Sequence, residues 1–355
     1  MSADFFEHGL TDHDGLIDKI KSYGRQTGFQ AVGHFMTAMP YAWVSCTTPP
    51  RFNTETYMYN CVDHVRGRVG IHGLLNRSLS GQKRLLIILH GITATPWDGY
   101  VRRLARDAAW LGFDTLRLSL RGATCRGSDH YHAGQTEDLA AVFEDPRLSD
   151  YGHICVAGFS LGGQIALRFA LDVKPERLAA VAAFSPPICM RSAQRALDAP
   201  NMLAYRKTIL AALRFKYRRL ARQATREGRP LPVSETALKQ IQSFYDWDRV
   251  VVCNRFGFET VADYYDSVSV SPQLDSLAVP TRLVFGRQDP IVPFNQIAGQ
   301  LVDLPRHVEI QVVSPGGHLG FGRVKEQITT SKNVYKQAAH WFNRVTSSAS
   351  SSSGQ

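Results

Sequence analysis

The sequence predicts an α/β fold in which a mostly parallel sheet is covered by helices on both faces. Three observations lead to this prediction. From residue 84 onward, short apolar segments typical of strands alternate with segments of helical periodicity. The strand-like segments are almost continuously apolar, as in the buried strands of parallel sheets. The chain has 355 residues, of which 44% are hydrophobic and 20% are charged, which suits one α/β domain with an insertion.

The first predicted elements lie at an edge of the sheet. Short β-prone segments between Tyr57 and Leu75 flank Arg66 and Gly67, which indicates a hairpin. Beyond the hairpin, strands alternate with helices, and such crossover connections make neighbouring strands parallel. The predicted strands are 84–90, 114–120, 153–158, 179–184, 281–286 and 308–313, and the predicted helices are 96–111, 136–144, 161–173 and about 325–345.

The alternation breaks once, between Ser185 and Thr281, where the pattern is mainly helical. An insertion at the carboxyl edge of a parallel sheet lies over the place where such folds bind ligands, and we therefore expect a helical cap. Apolar residues at helical spacing predict that this cap has a buried side, formed by Leu203, Leu210, Leu213, Tyr217 and Leu220. The predicted division is an N-terminal extension at 1–54, a core at 55–187 and 271–346, a cap at 188–270 and a disordered Ser-rich tail at 347–355.

Composition excludes several classes of protein. No apolar run approaches the roughly 18 residues of a membrane-spanning helix, and the first residues lack the pattern of a secretory signal. We therefore expect a cytoplasmic protein without a transmembrane segment. The six cysteines are scattered without Cys-x-x-Cys spacing, which favours neither a disulfide framework nor a zinc site.

The net charge of +10 has one prominent source in the chain. Nine basic residues and one acidic residue lie between Arg206 and Arg229. No nucleic-acid-binding motif accompanies them, and we expect no nucleic-acid partner. Two interpretations stay open: the segment is a solvated helix face, or residues 206–229 make peripheral contact with anionic lipid or a phosphorylated ligand.

Ser160 is the candidate nucleophile. It lies in Gly-Phe-Ser-Leu-Gly at 158–162, directly after a predicted strand and directly before a predicted helix. This G-x-S-x-G context is that of a nucleophile elbow, a sharp turn that raises the serine hydroxyl above the sheet. The amino end of the following helix favours the negative charge that develops there during catalysis. The motif in its context therefore predicts nucleophilic catalysis rather than a plain glycine-rich turn.

A serine hydroxyl needs a base, and the base needs an acid that orients it. In this architecture the order along the chain is serine, acid, histidine. Asp289 and His318 each follow a predicted strand, so we expect both at the same edge of the sheet as Ser160. Three alternatives fit less well because they precede a strand or follow none: His307, Asp303 and Asp275.

The loop that begins at His90 is the second candidate element of the site. In this architecture such a loop and the residue after the nucleophile supply the backbone N–H groups of the oxyanion hole, and the candidates are Ile92 and Leu161. We interpret His90 as a brace for the loop. A His-x-His pair at 130–132 has no nearby carboxylate or cysteine pattern, so we expect no metal and no cofactor.

Four stretches of the chain are similar to a known family: LHGITATPWDGYVRRLA, YHAGQTEDL, GFSLGGQIALR and the cap exit FYDWDRVVVCNRFGFETVADYYDSVSVSPQLDSLAVPTRLVFGRQDP. Through them the chain resembles the YheT-like branch of the α/β-hydrolase superfamily. That branch includes bacterial hydrolases, plant embryogenesis-associated proteins and animal abhydrolase-domain lipases. The resemblance covers roughly residues 55–345. It implies an α/β-hydrolase fold with a helical cap between the sixth and seventh strands.

The resemblance also implies esterase or lipase-like chemistry and places the catalytic residues at Ser160, Asp289 and His318. Three positions depart from the family pattern and bear on substrate selectivity: Ala94, Gln164 and Gln288. We therefore expect a serine hydrolase that cleaves a small-molecule or lipid carboxylic ester through an acyl-enzyme. The alternatives are an acyltransferase that uses the same residues and a non-catalytic ligand-binding domain.

Overall fold

The computed structural model describes residues 33, 34, 37, 54–63, 65–78, 80–322 and 333–352. Most of the predicted N-terminal extension at 1–54 therefore lies outside the described residues. The strands in chain order are β1 (Thr54–Asp63), β2 (Gly67–Asn76), β3 (Arg84–Leu89), β4 (Asp114–Ser119), β5 (His153–Phe159), β6 (Leu178–Phe184), β7 (Thr281–Gly286) and β8 (Val308–Val313).

These strands form one sheet in the order β1-β2-β4-β3-β5-β6-β7-β8. The strands from β3 to β8 run parallel to their neighbours, whereas β2 pairs antiparallel with both β1 and β4. The predicted parallel sheet is confirmed, and the predicted hairpin forms its edge. Since the central strands are parallel, their carboxyl ends lie along one edge, where ligands bind in open α/β sheets.

Helices connect the strands and cover the sheet. Those of the layered part are α1 (Gly99–Ala109), α2 (Glu137–Phe143) and α3 (Leu161–Asp172). The segment between β6 and β7 contains α4 (Met190–Asp198), α5 (Leu203–Arg226), α6 (Glu235–Gln240), α7 (Phe244–Trp247), a π-helix (Asp248–Cys253), α8 (Asn254–Phe256) and α9 (Val261–Val268). After β7 come α10 (Phe294–Ile297) and α11 (Val334–Ser352). Across the described ranges, no helix has both the length and the hydropathy needed to cross a membrane.

The sheet is apolar on both faces because successive side chains of a strand point to opposite sides. In β5, Ile154 and Val156 pack into one apolar cluster, whereas Ala157 and Phe159 pack into another. Side chains of α2 and α3 belong to the first cluster, and side chains of α1 and α11 belong to the second. The layered arrangement follows from burying both faces, which explains why the central strands read as continuous apolar runs.

The last helix extends beyond its predicted C-terminal end, and its predicted start lies outside the described residues. It is described from Val334 rather than from about residue 325, and residues 323–332 lie outside the described part. It continues to Ser352, so the prediction of a disordered tail is wrong for residues 347–352. Serine is only a modest helix former, but extending an existing helix costs much less than starting a new one.

The insertion between β6 and β7 is helical, as predicted, and α5 is its longest element. Its buried side belongs to an apolar cluster separate from those of the sheet and includes Leu210, Leu213, Tyr217 and Leu220. The predicted stripe is wrong at Leu203, which is 45% exposed, whereas its neighbour Met202 is buried in the cluster. The division into a core at 55–187 and 271–346 and a cap at 188–270 stays a prediction.

A buried cluster of charges joins α8 of the insertion to the sheet. Arg255 donates to Asp129 at 2.6 Å and to Asp63 at 3.0 Å. Arg121, which follows β4, pairs with the same two carboxylates at 3.0 and 2.7 Å and also with Asp138 of α2. Burial alone would raise the pKa of Asp129, but the hydrogen bonds from Arg255 and the charge of Arg121 lower it overall. The insertion is therefore held to the sheet by paired, desolvated charges.

Candidate active site

Ser160 lies at the turn between β5 and α3, where the backbone is strained. Its φ of 51° and ψ of −120° are outside the ordinary regions for a residue with a side chain. A Cβ atom on Gly158 would lie 2.2 Å from the carbonyl oxygen of Gly162, and one on Gly162 would lie 2.5 Å from the carbonyl oxygen of His90. Both glycines are therefore required by close packing, which is the physical reason for the G-x-S-x-G spacing.

His318 and Asp289 lie beside Ser160. The Nε2 atom of His318 is 2.9 Å from the Oγ atom of Ser160, and its Nδ1 atom is 2.8 Å from the Oδ2 atom of Asp289. Each of the three residues is at most 6% exposed. They come from loops after β5, β7 and β8, whose carboxyl ends lie at the same edge of the sheet. The structure thus brings the three predicted residues together in one series of hydrogen bonds.

The orientation of this series is set by backbone contacts. The Oδ1 atom of Asp289 accepts the N–H groups of Ile291 at 2.8 Å and Val292 at 2.9 Å, which leaves Oδ2 for His318. The N–H group of His318 donates to the Oγ1 atom of Thr37 at 2.8 Å. No pattern in the sequence indicates Thr37. It lies in the N-terminal extension, for which the sequence predicts no role.

His90 braces the loop that follows β3. Its Nε2 atom accepts the N–H group of Leu120 at 3.1 Å, so the proton lies on Nδ1, which donates to the carbonyl oxygen of Gly91 at 2.8 Å. Complete burial lowers the pKa of His90 to about 3, and the ring is therefore neutral near pH 7. A neutral ring whose two nitrogens are both occupied by backbone groups fits the interpretation of His90 as a brace.

The same loop contains a second strained residue. Thr93 has a φ of 59°, which is in the left-handed region, and its N–H group donates to the hydroxyl of Tyr131 at 3.0 Å. Ile92, one residue earlier, lines the cavity beside Ser160, as does Leu161, the first residue of α3. Both predicted oxyanion-hole residues therefore line the same cavity as the serine, one on the loop and one at the amino end of a helix.

A cavity extends from Ser160 and His318 into the helical insertion. It comprises about 1260 Å³ of space, part of it open to solvent. The insertion contributes mainly apolar and aromatic side chains to its wall, among them Met190, Leu197, Leu213, Tyr217, Phe244, Trp247, Val252 and Tyr264. A wall of this kind suits the hydrocarbon part of a ligand, with few polar groups to bind water.

A few polar side chains interrupt the apolar wall. His130 and His132 both pack against the ring of Phe256, and burial lowers their pKa values to about 4 and about 3. Both imidazoles are therefore neutral near pH 7. Asp248, at the start of the π-helix, accepts a hydrogen bond from the hydroxyl of Tyr265 at 2.6 Å, and burial raises its pKa to about 7. These groups can form hydrogen bonds within an otherwise apolar space.

Comparison with known proteins agrees with this architecture. The model of the alpha/beta hydrolase family matches residues 86–327, which is more than half of the chain. YheT of Escherichia coli (strain K12), an esterase by name, is 26% identical over 254 residues, which are 69% of this chain and 73% of YheT. Phospholipase ABHD3 of Homo sapiens is 24% identical over 260 residues, which are 71% of this chain and 62% of ABHD3.

A solved structure shows the same fold. The esterase Pf2001 of Pyrococcus furiosus superimposes with a TM-score of 0.51 at 18% identity, over 84% of this chain and 98% of that one. At this identity the likeness concerns the fold alone. The family match, the mostly parallel eight-stranded sheet and the serine at its strand-to-helix turn agree with one another. The chain belongs to the alpha/beta hydrolase family.

Proposed function

We propose that the protein is a serine hydrolase that cleaves carboxylic esters, with Ser160 as nucleophile, His318 as general base and Asp289 as the acid that orients the base. The observation that carries this proposal is the buried series of hydrogen bonds from Asp289 through the imidazole to the Ser160 hydroxyl. Relatives that are named esterase and phospholipase support the same class of reaction.

In the proposed reaction, the Oγ atom of Ser160 attacks the ester carbonyl carbon while His318 takes the hydroxyl proton. The tetrahedral oxyanion accepts the N–H groups of Ile92 and Leu161, and loss of one such donor typically costs about 100- to 1,000-fold in rate. When the intermediate collapses, the alcohol leaves with the proton from His318 and the acyl group stays on Ser160. Water that gives its proton to His318 then attacks the acyl carbon, and the carboxylic acid leaves as Ser160 regains its proton.

The cavity supports an ester with a substantial apolar part. The insertion contributes mainly apolar and aromatic side chains to its wall, so burial of a hydrocarbon chain provides binding energy without requiring polar partners. We propose a medium or long acyl chain as the group that occupies this space. A small acyl group such as acetyl would leave most of the apolar wall uncovered.

A panel of p-nitrophenyl esters of graded acyl length tests the proposal. We expect turnover by the wild type, a preference for chains longer than acetyl, and turnover at background level for Ser160→Ala. Ser119→Ala is the matched control, since it removes another buried serine hydroxyl outside the hydrogen-bonded series. Ester turnover by Ser160→Ala at the wild-type rate would contradict the proposal. Product analysis with added alcohols then separates hydrolysis from acyl transfer.

Contact of residues 206–229 with anionic lipid is a further part of the proposal. The basic side chains of this segment divide into two groups. Those turned toward backbone carbonyls or acidic side chains are Arg206, Arg214, Lys216, Arg218 and Arg229. Those left exposed are Lys207, Arg219, Arg222 and Arg226, with the 57% exposed Phe215 beside Arg219. The exposed group is the part of α5 that fits an anionic surface.

Cosedimentation with lipid vesicles tests this contact. We expect the wild type to bind vesicles that contain phosphatidylserine better than neutral ones, and the combined variant Arg219→Ala, Arg222→Ala, Arg226→Ala to lose that difference. Each basic residue near a charged surface contributes about 1 kcal/mol. Equal binding of the variant and the wild type would contradict the contact. The cytoplasmic location stays a prediction from the sequence.

A further inference from the structure

Lys216, near the middle of α5, reaches out of the insertion to the loop that follows β3. Its Nζ atom donates to the carbonyl oxygens of Thr93 at 2.8 Å, Ala123 at 2.6 Å and Ala94 at 3.3 Å. An ammonium group has three N–H bonds, so these three carbonyls use its donor capacity fully. Thr93 and Ala94 belong to the loop with the proposed oxyanion-hole residue Ile92, and Ala123 lies in the turn after β4.

The environment of Lys216 is unusual for a lysine. Among the residues that the structure describes, it forms no ion pair with a carboxylate, and its side chain lines the cavity. Desolvation lowers the pKa of its ammonium group. A cation held near an apolar cavity by carbonyl dipoles alone is costly to bury. Backbone carbonyls from two loops nevertheless converge on this one ammonium group. This convergence indicates that the positive charge is required at this position.

The contact acts on a strained part of the loop. Thr93 has the left-handed φ of 59°, a conformation that costs about 1–2 kcal/mol for a residue with a side chain. Its N–H group is held by the hydroxyl of Tyr131 and its carbonyl group by Lys216. The two bonds fix both sides of the strained residue, which directly follows Ile92. Without the ammonium group, the carbonyl group of Thr93 would lose this hydrogen bond, and the hydroxyl of Tyr131 would hold the strained residue only from its N–H side.

We propose that Lys216 is a positioning residue that keeps the loop at residues 91–94 in the conformation that aims the N–H group of Ile92 at the oxyanion. The proposal rests on the proposed function, since it assigns a role within the same site. It also links the insertion to catalysis, because the side chain that holds the loop belongs to the insertion. The oxyanion hole is then complete only when α5 packs over the sheet with Lys216 in contact with this loop.

The test compares Lys216→Met with Arg214→Met. Methionine keeps much of the apolar stem of lysine and removes the charge, whereas Arg214 is a cation of the same helix that donates to the carbonyl oxygen of Ile241 inside the insertion. We expect kcat to fall about 10- to 100-fold in Lys216→Met, since a small displacement of a catalytic group has effects of this size, with KM within about threefold. Arg214→Met is expected to stay within about threefold of the wild type in both constants.

Inhibitor binding separates positioning from a general structural effect. A trifluoromethyl ketone forms a tetrahedral adduct with the serine, whereas the matching methyl ketone resembles the ground state. For Lys216→Met we expect the inhibition constant of the trifluoromethyl ketone to rise by about the factor that kcat loses, while that of the methyl ketone stays within about threefold. Unchanged kcat, or equal weakening of both ketones, would overturn the positioning role.

Two further variants keep these outcomes interpretable. Lys216→Arg retains a cation with several donors and should recover part of the lost kcat. If Lys216→Met does not fold, Lys216→Gln, which is neutral and too short to reach the loop, takes its place in the same comparison. Ser160→Ala is measured alongside. Ser160-dependent turnover by the wild type establishes the proposed reaction on its own, so a Lys216→Met enzyme of full activity would overturn only the positioning role.

Discussion

Replacing Asp289 with asparagine tests how the proposed base is oriented. The Oδ1 atom of Asp289 accepts two backbone N–H groups, from Ile291 and Val292, and Oδ2 faces the Nδ1 atom of His318. In Asp289→Asn the amide oxygen must take the Oδ1 position, because an NH₂ group there would oppose two donors. The amide NH₂ group then faces Nδ1 of His318 and donates to it. This forces the imidazole proton onto Nε2, where the ring cannot accept the proton of Ser160.

We expect kcat of Asp289→Asn to fall about 10,000-fold, which corresponds to about 5.5 kcal/mol, since a wrong imidazole tautomer costs about this much in serine hydrolases. The melting temperature should change little, because the side chains are almost isosteric and the two backbone bonds to Oδ1 are kept. Turnover of a p-nitrophenyl ester gives kcat, and Asp303→Asn, outside the hydrogen-bonded series, is the control. An Asp289→Asn enzyme with activity within tenfold of the wild type would refute the reasoning.

Two further predictions concern stability. Since burial raises the pKa of Asp248 to about 7 from an unfolded value near 4, the folded protein keeps a proton that the unfolded chain releases, and this group makes stability fall as pH rises from about 4 to about 7. Asp248→Asn, which still accepts from Tyr265, should therefore melt higher relative to the wild type at pH 8 than at pH 5, and an identical difference at both pH values would contradict this. Arg255→Met leaves Asp129 with one partner fewer in a buried cluster and should lower the free energy of unfolding in urea by about 3–5 kcal/mol. The exposed ion pair of Arg191 should contribute only about 0–1 kcal/mol to the free energy of unfolding. Equal losses of unfolding free energy in Arg255→Met and Arg191→Met would therefore contradict a stabilising contribution from the buried charge cluster.

The sheet and the serine turn could be predicted because their signals are local. Each central strand is a short apolar run next to a helical segment, and the glycines around Ser160 lie in a five-residue motif between a strand and a helix. Asp289 and His318 could be found for a topological reason. In a parallel sheet the carboxyl ends of the strands share an edge, so residues far apart in the chain but each just after a strand are brought together.

The contacts around the site depend on long-range packing and could not be predicted. Thr37 is 281 residues from His318, and Lys216 is 123 residues from Thr93, with no repeat or motif that relates them. The sequence around a lysine in a basic segment is the same whether its side chain faces solvent or turns toward the protein interior. For this reason the sequence predicts the basic residues of 206–229 only as a solvated face or a surface for anionic lipid or a phosphorylated ligand, whereas the structure turns part of them toward backbone carbonyls.

Labelling with a fluorophosphonate probe tests the central claim most directly, because the probe reacts only with a serine whose hydroxyl is activated. The account predicts one adduct on the folded wild type, located by peptide mass spectrometry at Ser160, and its loss in Ser160→Ala. Labelling should also be much slower in Asp289→Asn, in which the imidazole cannot take the proton. A folded wild type that forms no adduct, or a Ser160→Ala variant that is labelled elsewhere at the wild-type rate, would contradict the account.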